Sequence, residues 1–416
     1  MLVALALLLV AAAGLLSCTG YLILLWLAAW RFRRRMVAQV SPDSFPPVTL
    51  LKPLCGLEPN LRANLTSFFD QEYPSFEVVF GVRHVDDPAL SVVDAVRQQY
   101  PSVPVKVVIA GEPAGANAKI CSLQKMYAAA AHDYLVISDS DVQVHPNYIR
   151  HVIAPLLNPR VGMVTCLYRG VPGASLWSRL EALGMSVEMT SGVLVANLLE
   201  GMKFALGPTM AIRREVLDAV SGFEPLADYC ADDYLLGQRV AQLGREVVLS
   251  THVIDHVAIN RALRSSLLHQ VRWMKSTRFS RPVGHIATVM SFAMPFGILG
   301  FIGLVLLGRP LQGLAWVAAA ITNRVLMSVI AGWMVVRDWQ ALRSCWIYPI
   351  RDLMGFGFWL FSFLGNTITW RGETYRLELD GFMVPAGMSV SSLAGCCSDT
   401  RSSTDMETSL AAGRIS

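Results

Sequence analysis

The stretch "YLVISDSDV", Tyr134 to Val142, joins an apolar run to two aspartates that stand one residue apart. The short run rich in apolar and β-branched residues predicts a buried strand. Side chains two residues apart in an extended chain point to the same side, so Asp139 and Asp141 would present both carboxylates just beyond the strand end. Such a pair suits a divalent metal ion. A polar turn is the alternative, because Asp and Ser are also favoured in turns.

Strand-like and helix-like segments alternate from residue 46 to residue 282, which we interpret as one domain. The β-rich runs are "PVTLLKPL", "FEVVFGV", "VPVKVVIAG", "DYLVISDSD" and "VGMVTCLY". Segments with helical spacing, such as Leu61–Phe69 and Leu90–Gln99, separate them. This alternation predicts an α/β fold with a parallel sheet and functional loops at the carboxyl edge of its strands. Asp139 and Asp141 would lie on that edge.

The composition indicates a membrane protein. The chain has 416 residues, of which 53% are hydrophobic, and its mean hydropathy is +0.44, which is too apolar for an ordinary soluble enzyme. The net charge of +4 comes without a long basic tract, so nucleic acid is not an expected partner. The eight cysteines contain no C-x-x-C pair, which argues against a zinc site or a disulfide framework.

The N-terminal segment, residues 1–35, is apolar and ends in the basic run "RFRRR". Its length can cross a bilayer, and the arginines predict that the domain after it is cytoplasmic. A cleaved signal peptide would carry its positive charge before the apolar run, so we expect a retained anchor. The protein is therefore expected to be an integral membrane protein, most simply of a bacterial inner membrane.

A second membrane region is expected at residues 284–380. It contains three apolar segments, near Ile286–Leu307, Leu311–Val336 and Ile347–Trp370. Arg351 and Asp352 interrupt the third segment, and basic residues follow it, so the number of true crossings stays open. Residues 381–416 are rich in Ser, Thr, Gly and Ala and are expected to form a disordered tail.

Further acidic and basic motifs lie on both sides of the two aspartates. They are "VRHVDDPAL" with Asp86 and Asp87, "ADYCADDYLLGQRVAQLG" with Asp232 and Asp233, and "HQVRW" from His269 to Trp273. Taken singly, an aspartate pair can cap a helix, and an Arg-Trp pair can flank a membrane. Together, the ordered set is far more specific. His252 and His256 have the spacing of a helical metal pair, but their apolar surroundings look like a strand.

This ordered set resembles the membrane-bound glycosyltransferases of family 2 and the related family 21. The resemblance is strongest to the ceramide glucosyltransferases and includes bacterial enzymes associated with hopanoid lipids. The matching segments are "LLKPLCGLEPNL", "DDPA", "GANAKI", "DSD", "ADDY", "RW" and "ITWRGETYRL". The resemblance implies a Rossmann-like nucleotide-sugar-binding domain of the GT-A type, with membrane helices at both ends, and a reaction that inverts the anomeric centre.

The resemblance also implies roles in donor binding. Asp87 matches an aspartate expected to contact the uridine of a UDP-sugar, and Lys119 matches a lysine expected near its phosphates. Asp139 and Asp141 match the D-x-D motif, which is expected to hold Mg²⁺ or Mn²⁺ against the diphosphate. Hard carboxylate oxygens are suitable ligands for both ions.

The expected catalytic residues are in the two later motifs. Asp233 matches the general base that takes a proton from the acceptor hydroxyl, with Asp232 as the alternative. Arg272 is expected to stabilise the departing UDP, and Trp273 to pack beside the acceptor or the diphosphate. His269 departs from the family, which usually has Gln or Arg three residues before the arginine. Either His269 or Gln270 fills that position.

The expected acceptor is a membrane lipid at the bilayer surface. The resemblance suggests ceramide with UDP-glucose, or a hopanoid with UDP-N-acetylglucosamine, and the composition slightly favours the hopanoid. A processive polysaccharide synthase shares the same motifs but generally needs more membrane crossings than this chain offers. A non-catalytic lipid-binding scaffold is the other alternative, and the complete acidic set argues against it.

Overall fold

The computed structural model describes residues 1–37, 44–259, 262–370 and 372–386. Eight strands form the central sheet: β1 Val48–Pro53, β2 Phe76–Val82, β3 Val105–Ile109, β4 Tyr134–Ile137, β5 Val142–Gln143, β6 Val161–Pro172, β7 Met210–Arg213 and β8 Glu246–Ala258. Their order is β3-β2-β1-β4-β7-β6-β8-β5. The predicted strands are all present, and the α/β class is confirmed.

The sheet is mixed, so the prediction of a parallel sheet is wrong for β7 and β5, which run opposite to the other six strands. Strands β1 to β4 are parallel, but β7 runs antiparallel to both β4 and β6. The reversal arises because the chain leaves β6 and returns to β7 at the same edge of the sheet, instead of crossing over to the opposite edge. That excursion occupies residues 173–209 and begins at the edge that carries the D-x-D motif.

Ten helices precede or surround the sheet. They are α1 Leu2–Val37, α2 Leu61–Phe69, α3 Ala89–Gln99, α4 Ala118–Ala129, α5 Tyr148–Ile153, α6 Leu176–Gly184, α7 Thr190–Glu200, α8 Arg214–Ala219, α9 Asp232–Gln242 and α10 Leu263–Ser280. A π-helical turn, Met185–Met189, joins α6 to α7. Helix α1 is part of the protein core, because Leu25, Ala29 and Phe32 near its end are buried in the main hydrophobic cluster.

The C-terminal region continues with α11 Pro282–Ala287, α12 Met294–Leu306, α13 Pro310–Met327, α14 Trp339–Arg343 and α15 Tyr348–Ser362. Helix α13 is extended by a π-helical segment, Ser328–Val335. A small antiparallel sheet follows, with β9 Thr367–Trp370, β10 Glu373–Leu377 and β11 Met383–Pro385. Strand β11 lies within residues 381–416, which the sequence predicted to be a disordered tail. Residues 387–416 lie outside the described part of the chain.

In the described part of the chain, three helical segments are long and apolar enough to cross a membrane. They are Leu2–Arg35, Leu176–Glu200 and Pro310–Val335, and a fourth candidate is the pair Pro282–Ser291 and Met294–Leu306, bent by 52°. The third predicted C-terminal segment does not form one span, because α15 ends at Ser362 and the chain then enters β9. The segment Leu176–Glu200 was not predicted; it is largely buried against other helices, and its two ends lead to strands of one sheet.

Candidate active site

Strand pairing brings the loop before β7 and the strand β8 next to the end of β4. Ile137 pairs with Met210, so the loop before β7, which contains Gly207, lies beside the D-x-D motif. Val142 pairs with His256 on β8, which brings that histidine next to Asp141. The site therefore forms at the carboxyl edge of the parallel strands, as the sequence predicted for Asp139 and Asp141.

Lys119 connects the D-x-D motif to the later aspartate pair. Its Nζ atom lies 2.6 Å from Asp139 Oδ1 and 3.8 Å from Asp232 Oδ2. Asn117 caps α4 and donates a hydrogen bond of 3.1 Å to Asp232 Oδ1. Burial would lower the pKa of Lys119, but the carboxylates of Asp139 and Asp232 outweigh it and raise the pKa. The lysine is therefore a permanent cation beside the place expected for the diphosphate.

Asp233 has a different environment from its neighbour. Its Oδ2 atom accepts a hydrogen bond of 2.7 Å from the Gly207 N–H, and its Oδ1 atom accepts one of 2.7 Å from the backbone N–H of Tyr234. Burial and the nearby charge of Asp232 raise the pKa of Asp233 to about 6. Asp232 is buried, whereas Asp233 is partly exposed to the cavity described below. Of the two, Asp233 is the better placed to meet a substrate.

Gly207 keeps the two functional carboxylates close to one another. A Cβ atom at this position would lie 3.2 Å from Asp233 Oδ2 and 3.7 Å from Asp139 Oδ2. The glycine thus leaves a space between the D-x-D motif and Asp233 that a side chain would occupy. A reacting group placed there contacts both carboxylates.

The D-x-D motif suits a divalent metal ion. Asp141 Oδ1 is buried and has no hydrogen-bond partner, and the other oxygen lies 3.6 Å from His256 Nε2. A buried carboxylate oxygen with no partner is unfavourable unless a ligand completes it. Within the described ranges, no three metal-ligating side chains converge. Substrate oxygens and water would therefore have to supply the remaining ligands, which is usual for Mg²⁺.

His252 and His256, whose spacing suggested a metal pair, do not form a common metal site. His256 approaches Asp141, but His252 stacks against His151, with ring centroids 4.9 Å apart. Both histidines lie on β8, as the apolar pattern predicted. The metal-pair reading of their spacing is therefore wrong, because side chains four residues apart on a strand do not converge as they do on a helix.

The H-x-x-R-W motif lies on α10 and faces the same site. His269 Nδ1 is 2.8 Å from Glu181 Oε1, and its ring lies 4.4 Å from that of Trp273. The Arg272 guanidinium lies 5.6 Å from the centre of the Trp370 ring. Gln270 is buried, and its side-chain oxygen accepts a hydrogen bond from Arg351. His269 thus contacts Glu181 and Trp273, whereas Gln270 contacts Arg351; which of the two fills the first position of the motif stays a prediction.

Asp87 is the one predicted site residue that does not line the cavity. Both of its carboxylate oxygens lie 3.1 Å from the Gly56 N–H, and one also accepts a hydrogen bond from the Ala89 N–H. The residue therefore ties the loop after β1 to the start of α3. Its contact with uridine stays a prediction.

Sequence reasoning missed two buried charged residues beside the site. Lys52 on β1 is fully buried, and its Nζ atom donates a hydrogen bond of 2.5 Å to the Asp139 carbonyl oxygen. Burial lowers its pKa to about 7, even though Asp139 and Asp141 oppose that shift. Glu181 is also buried and accepts hydrogen bonds from His269 and Ser266. In the sequence, these two residues are distinguished only by being charged within a largely apolar strand or helix.

A cavity of about 1620 Å³ joins this site to the membrane helices. One end is lined by Lys119, Asp139, Asp233, Arg272 and Trp273. The other end is lined by residues of α1, α7 and the C-terminal membrane region, including Ser17, Tyr21, Leu24, Met189, Met290 and Tyr348. A single space therefore reaches both the charged cluster and the apolar helices.

Comparison with known proteins identifies the family. The description "Glycosyl transferase family 21" matches residues 9–383, and the chain belongs to this family. Ceramide glucosyltransferase 1 of Caenorhabditis elegans is 24% identical over 353 residues, which is 83% of this chain and 75% of that protein. Ceramide glucosyltransferase 3 of the same organism is 23% identical and covers 84% of this chain and 77% of its own length. The protein is therefore a glycosyltransferase, as the sequence predicted.

Solved structures of glycosyltransferases are also similar to this chain. A mannosyltransferase from Pyrobaculum calidifontis, in complex with GDP-Man and Mn²⁺, is 19% identical with a TM-score of 0.49 and covers 83% of this chain and 99% of its own. Glucosyl-3-phosphoglycerate synthase from Mycobacterium tuberculosis, in complex with Mn²⁺, UDP and glucosyl-3-phosphoglycerate, is 17% identical with a TM-score of 0.36. It covers 57% of this chain and 86% of its own.

Proposed function

We propose that the protein transfers one sugar, with inversion, from a UDP-sugar to a hydroxyl group of a membrane lipid. The observation that carries this proposal is the continuous cavity between the charged site and the apolar helices. A soluble acceptor would have no need for an apolar path between membrane helices. A lipid can occupy that path and bring its hydroxyl to Asp233.

The chain's own residues supply the acid–base and electrostatic parts of the reaction. Asp233 accepts the proton of the acceptor hydroxyl as its oxygen forms a bond to the anomeric carbon. The bond between that carbon and the diphosphate oxygen breaks, and UDP leaves with the electron pair. Lys119 and Arg272 offset the negative charge on the leaving group. Attack from the face opposite UDP gives inversion in one step.

Asp139 and Asp141 would hold the divalent cation beside the diphosphate. When bound, Mg²⁺ or Mn²⁺ supplies positive charge that stabilises the leaving group. His256 lies close enough to Asp141 to orient its carboxylate. Trp273 and His269 form an aromatic wall on the cavity side of α10.

The position of the C-terminal sheet supports an even number of crossings after the catalytic segment. The Met383 N–H donates to the Asp228 carbonyl, and the Cys230 N–H donates to that of Gly381, so the end of this sheet lies beside the aspartate pair. The bent helix pair and Pro310–Val335 provide two crossings between Pro282 and Thr367. The arginines after the first apolar segment support a cytoplasmic catalytic domain, and the C-terminal sheet would then lie on the same side.

Pairing two donors with two acceptors tests this proposal. The purified protein in bilayers with Mn²⁺ is supplied with UDP-glucose or UDP-N-acetylglucosamine, and with ceramide or a hydroxylated hopanoid. The names of the relatives make UDP-glucose with ceramide the first pair to measure. UDP release that depends on one lipid supports the proposal and identifies the substrates. UDP release that is equal with and without every lipid would contradict it.

A further inference from the structure

Two ion pairs lie among the apolar helices at the membrane end of the cavity, and Glu188 is the one of their four members whose side chain is partly exposed. Arg324 Nη1 lies 2.9 Å from Asp352 Oδ1, and Arg351 Nη2 lies 2.8 Å from Glu188 Oε2. All four residues line the cavity. Charged groups at such a depth are unfavourable unless they are paired or functional. The two pairs differ in how completely their hydrogen-bonding groups are used.

The pair Arg324–Asp352 is largely satisfied by the protein. Asp352 Oδ2 accepts hydrogen bonds from the N–H groups of Ala293 and Met294, at 3.1 Å and 2.9 Å, so the aspartate caps the start of α12. Arg324 also donates to the Ser291 carbonyl and to Asn323 and retains only Nε without a partner. This pair therefore has a structural role in holding three segments together.

The pair Glu188–Arg351 is incompletely satisfied. Glu188 Oε1 and both Nε and Nη1 of Arg351 are buried without a hydrogen-bond partner. Arg351 is only 4% exposed, and it is oriented by Glu188 and by Gln270, whose oxygen lies 2.6 Å from Arg351 Nη2. One acceptor atom and two donor atoms are thus buried at the cavity wall with nothing to bond. Such groups are unfavourable unless a ligand or a water molecule supplies the missing partners.

Two glycines provide the space that this second pair occupies. A Cβ atom at Gly184 would lie 2.5 Å from Arg351 Nη2, and one at Gly355 would lie 3.2 Å from Glu188 Oε1. Any side chain at Gly184 would collide with the guanidinium group. The pair therefore fits because each of its members faces a glycine on a neighbouring helix.

The second pair also lies close to the transfer motif. Gln270 directly follows His269 on α10 and precedes Trp273 by three residues. With a rise of about 1.5 Å per residue, Gln270 is within one helical turn of both. Arg351 thus contacts the residue next to His269, and Glu188, Arg351 and His269 all line the same cavity.

We propose that Glu188 and Arg351 form the subsite that binds the polar head of the acceptor lipid. Glu188 Oε1 accepts a hydrogen bond from an N–H or O–H group, and Arg351 Nη1 donates one to a neighbouring oxygen. A secondary amide or a vicinal diol offers both functions on adjacent atoms. The subsite selects lipids that carry such a group next to the reacting hydroxyl. This inference rests on the proposed lipid glycosyltransferase function.

The test compares acceptors that differ by one hydrogen-bonding group. Transfer from UDP-glucose is measured in bilayers with ceramide and with N-methylceramide, which lacks the amide N–H. A long-chain 1,2-diol and its monohydroxy analogue form the second comparison, which distinguishes the two head-group chemistries. In one of the two comparisons, the wild type should have a kcat/KM at least about tenfold higher with ceramide or with the 1,2-diol than with the analogue. The reason is that the analogue lacks one hydrogen bond to a charged group.

Glu188→Gln should reduce this preference to within about threefold, since the carboxylate that accepts the hydrogen bond is gone. Asp352→Asn is the control for the structural pair: it should lower the thermal stability and leave the preference as in the wild type.

A second variant covers the case in which Glu188→Gln does not fold. Gly355→Ala pushes a methyl group against Glu188 Oε1, whereas Gly357→Ala on the same helix faces open space. Gly355→Ala should reduce the preference, and Gly357→Ala should not. A wild-type preference that survives in both Glu188→Gln and Gly355→Ala would overturn the subsite. A wild type that glycosylates no lipid would instead contradict the proposed function.

Discussion

At the residue scale, the two adjacent aspartates of "ADDY" have separate environments although their chemistry is identical. Asp232 is buried between Asn117 and Lys119, while Asp233 is partly exposed and is held by the Gly207 N–H. We therefore propose different roles for the two aspartates: Asp232 stabilises the positive charge of Lys119, and Asp233 receives the proton. A sequence cannot distinguish neighbouring side chains, because their directions depend on where the helix begins.

Asp233→Asn should lower lipid glycosylation by roughly 10²–10⁴-fold, which is the usual contribution of a general base. Because burial and Asp232 raise the pKa of Asp233 to about 6, the ionised base is present above that pH and is lost below it. We therefore expect kcat/KM to fall about tenfold per pH unit below 6, with Lys119 still charged throughout. A rate profile for the wild type that is flat down to pH 5 would contradict this assignment.

Asp141→Asn should raise the concentration of Mn²⁺ needed for half-maximal activity by at least about tenfold, because one anionic ligand is lost. Removal of divalent ions with EDTA should abolish transfer, and added Mn²⁺ should restore it. The dependence is measured by titrating Mn²⁺ into the chelated enzyme at saturating donor. His252→Ala is the control, since that histidine stacks away from Asp141 and should leave the titration unchanged.

Glu181 should act through His269 by orienting its ring. Glu181→Gln should lower kcat by about threefold or more, and the same change should have little effect when His269 is already Gln. Ser266→Ala, which removes the other hydrogen bond to Glu181, should not show this coupling. Equal effects of Glu181→Gln in both backgrounds would mean that the glutamate has only a structural role.

The sequence motifs indicated which aspartates lie together, but they did not indicate contacts between residues far apart in the chain. The D-x-D aspartates and the later aspartate pair stand at element ends in recognisable motifs, and the structure gathers them around Lys119 and Gly207. Glu181 lies 88 residues from His269, and Lys52 lies 87 residues from Asp139. No local pattern encodes such separations, so these contacts become visible only in the folded chain.

At the scale of elements, the alternation of strands and helices was sufficient to predict an α/β sheet, but not its mixed direction. The reversal at β7 depends on residues 173–209 returning to the edge from which they left. Their apolar helices pack among the membrane helices, and this packing is a long-range property. The same excursion places Gly207 and the acceptor end of the cavity next to one another.

Helix α9 must approach the loop before β7 closely to position Asp233. A Cβ atom at Gly237, one turn after Asp233, would lie 2.4–2.6 Å from backbone atoms of Phe204 and Ala205. Gly237→Ala should therefore destabilise the protein by roughly 1–3 kcal/mol and lower transfer, as overpacking does. Thermal unfolding and transfer rates measure both effects. Gly357→Ala, which faces open space, should be neutral or slightly stabilising; an equal loss in both variants would contradict this account.

At the scale of the whole molecule, one cavity connects the charged site to apolar helices that are candidates for crossing a membrane. Helix α1 contributes both to the domain core and to the membrane helices, since Leu25 lies in the main cluster and Gly303 on α12 faces Leu8. The number of crossings could not be read from hydropathy, because α15 is apolar but too short and carries Arg351 and Asp352, which pair with residues of other segments. The C-terminal sheet lies beside Asp228, so the sheet and the catalytic domain are on the same side, and this restricts the number of membrane crossings between them to an even one.

The proposed topology predicts which sites are accessible from each side of the membrane. Leu379→Cys, in the C-terminal sheet region, and Arg309→Cys, between α12 and α13, both replace exposed residues. In oriented vesicles of a variant without native cysteines, an impermeant thiol reagent should label the two positions from opposite sides. The proposed topology has one crossing between the catalytic domain and Arg309 and a second between Arg309 and Leu379. Labelling of both positions from the same side would contradict it.

The most direct test of the central claim is mass spectrometry of the lipid products. Purified protein in bilayers is supplied with Mn²⁺, UDP-glucose and ceramide, beside an Asp233→Asn preparation of equal fold and amount; the same reactions are repeated with UDP-N-acetylglucosamine and a hydroxylated hopanoid. The account predicts lipid that gains the mass of one sugar with the wild type, and none with the variant. A sugar polymer, or unmodified lipid in every reaction, would contradict it.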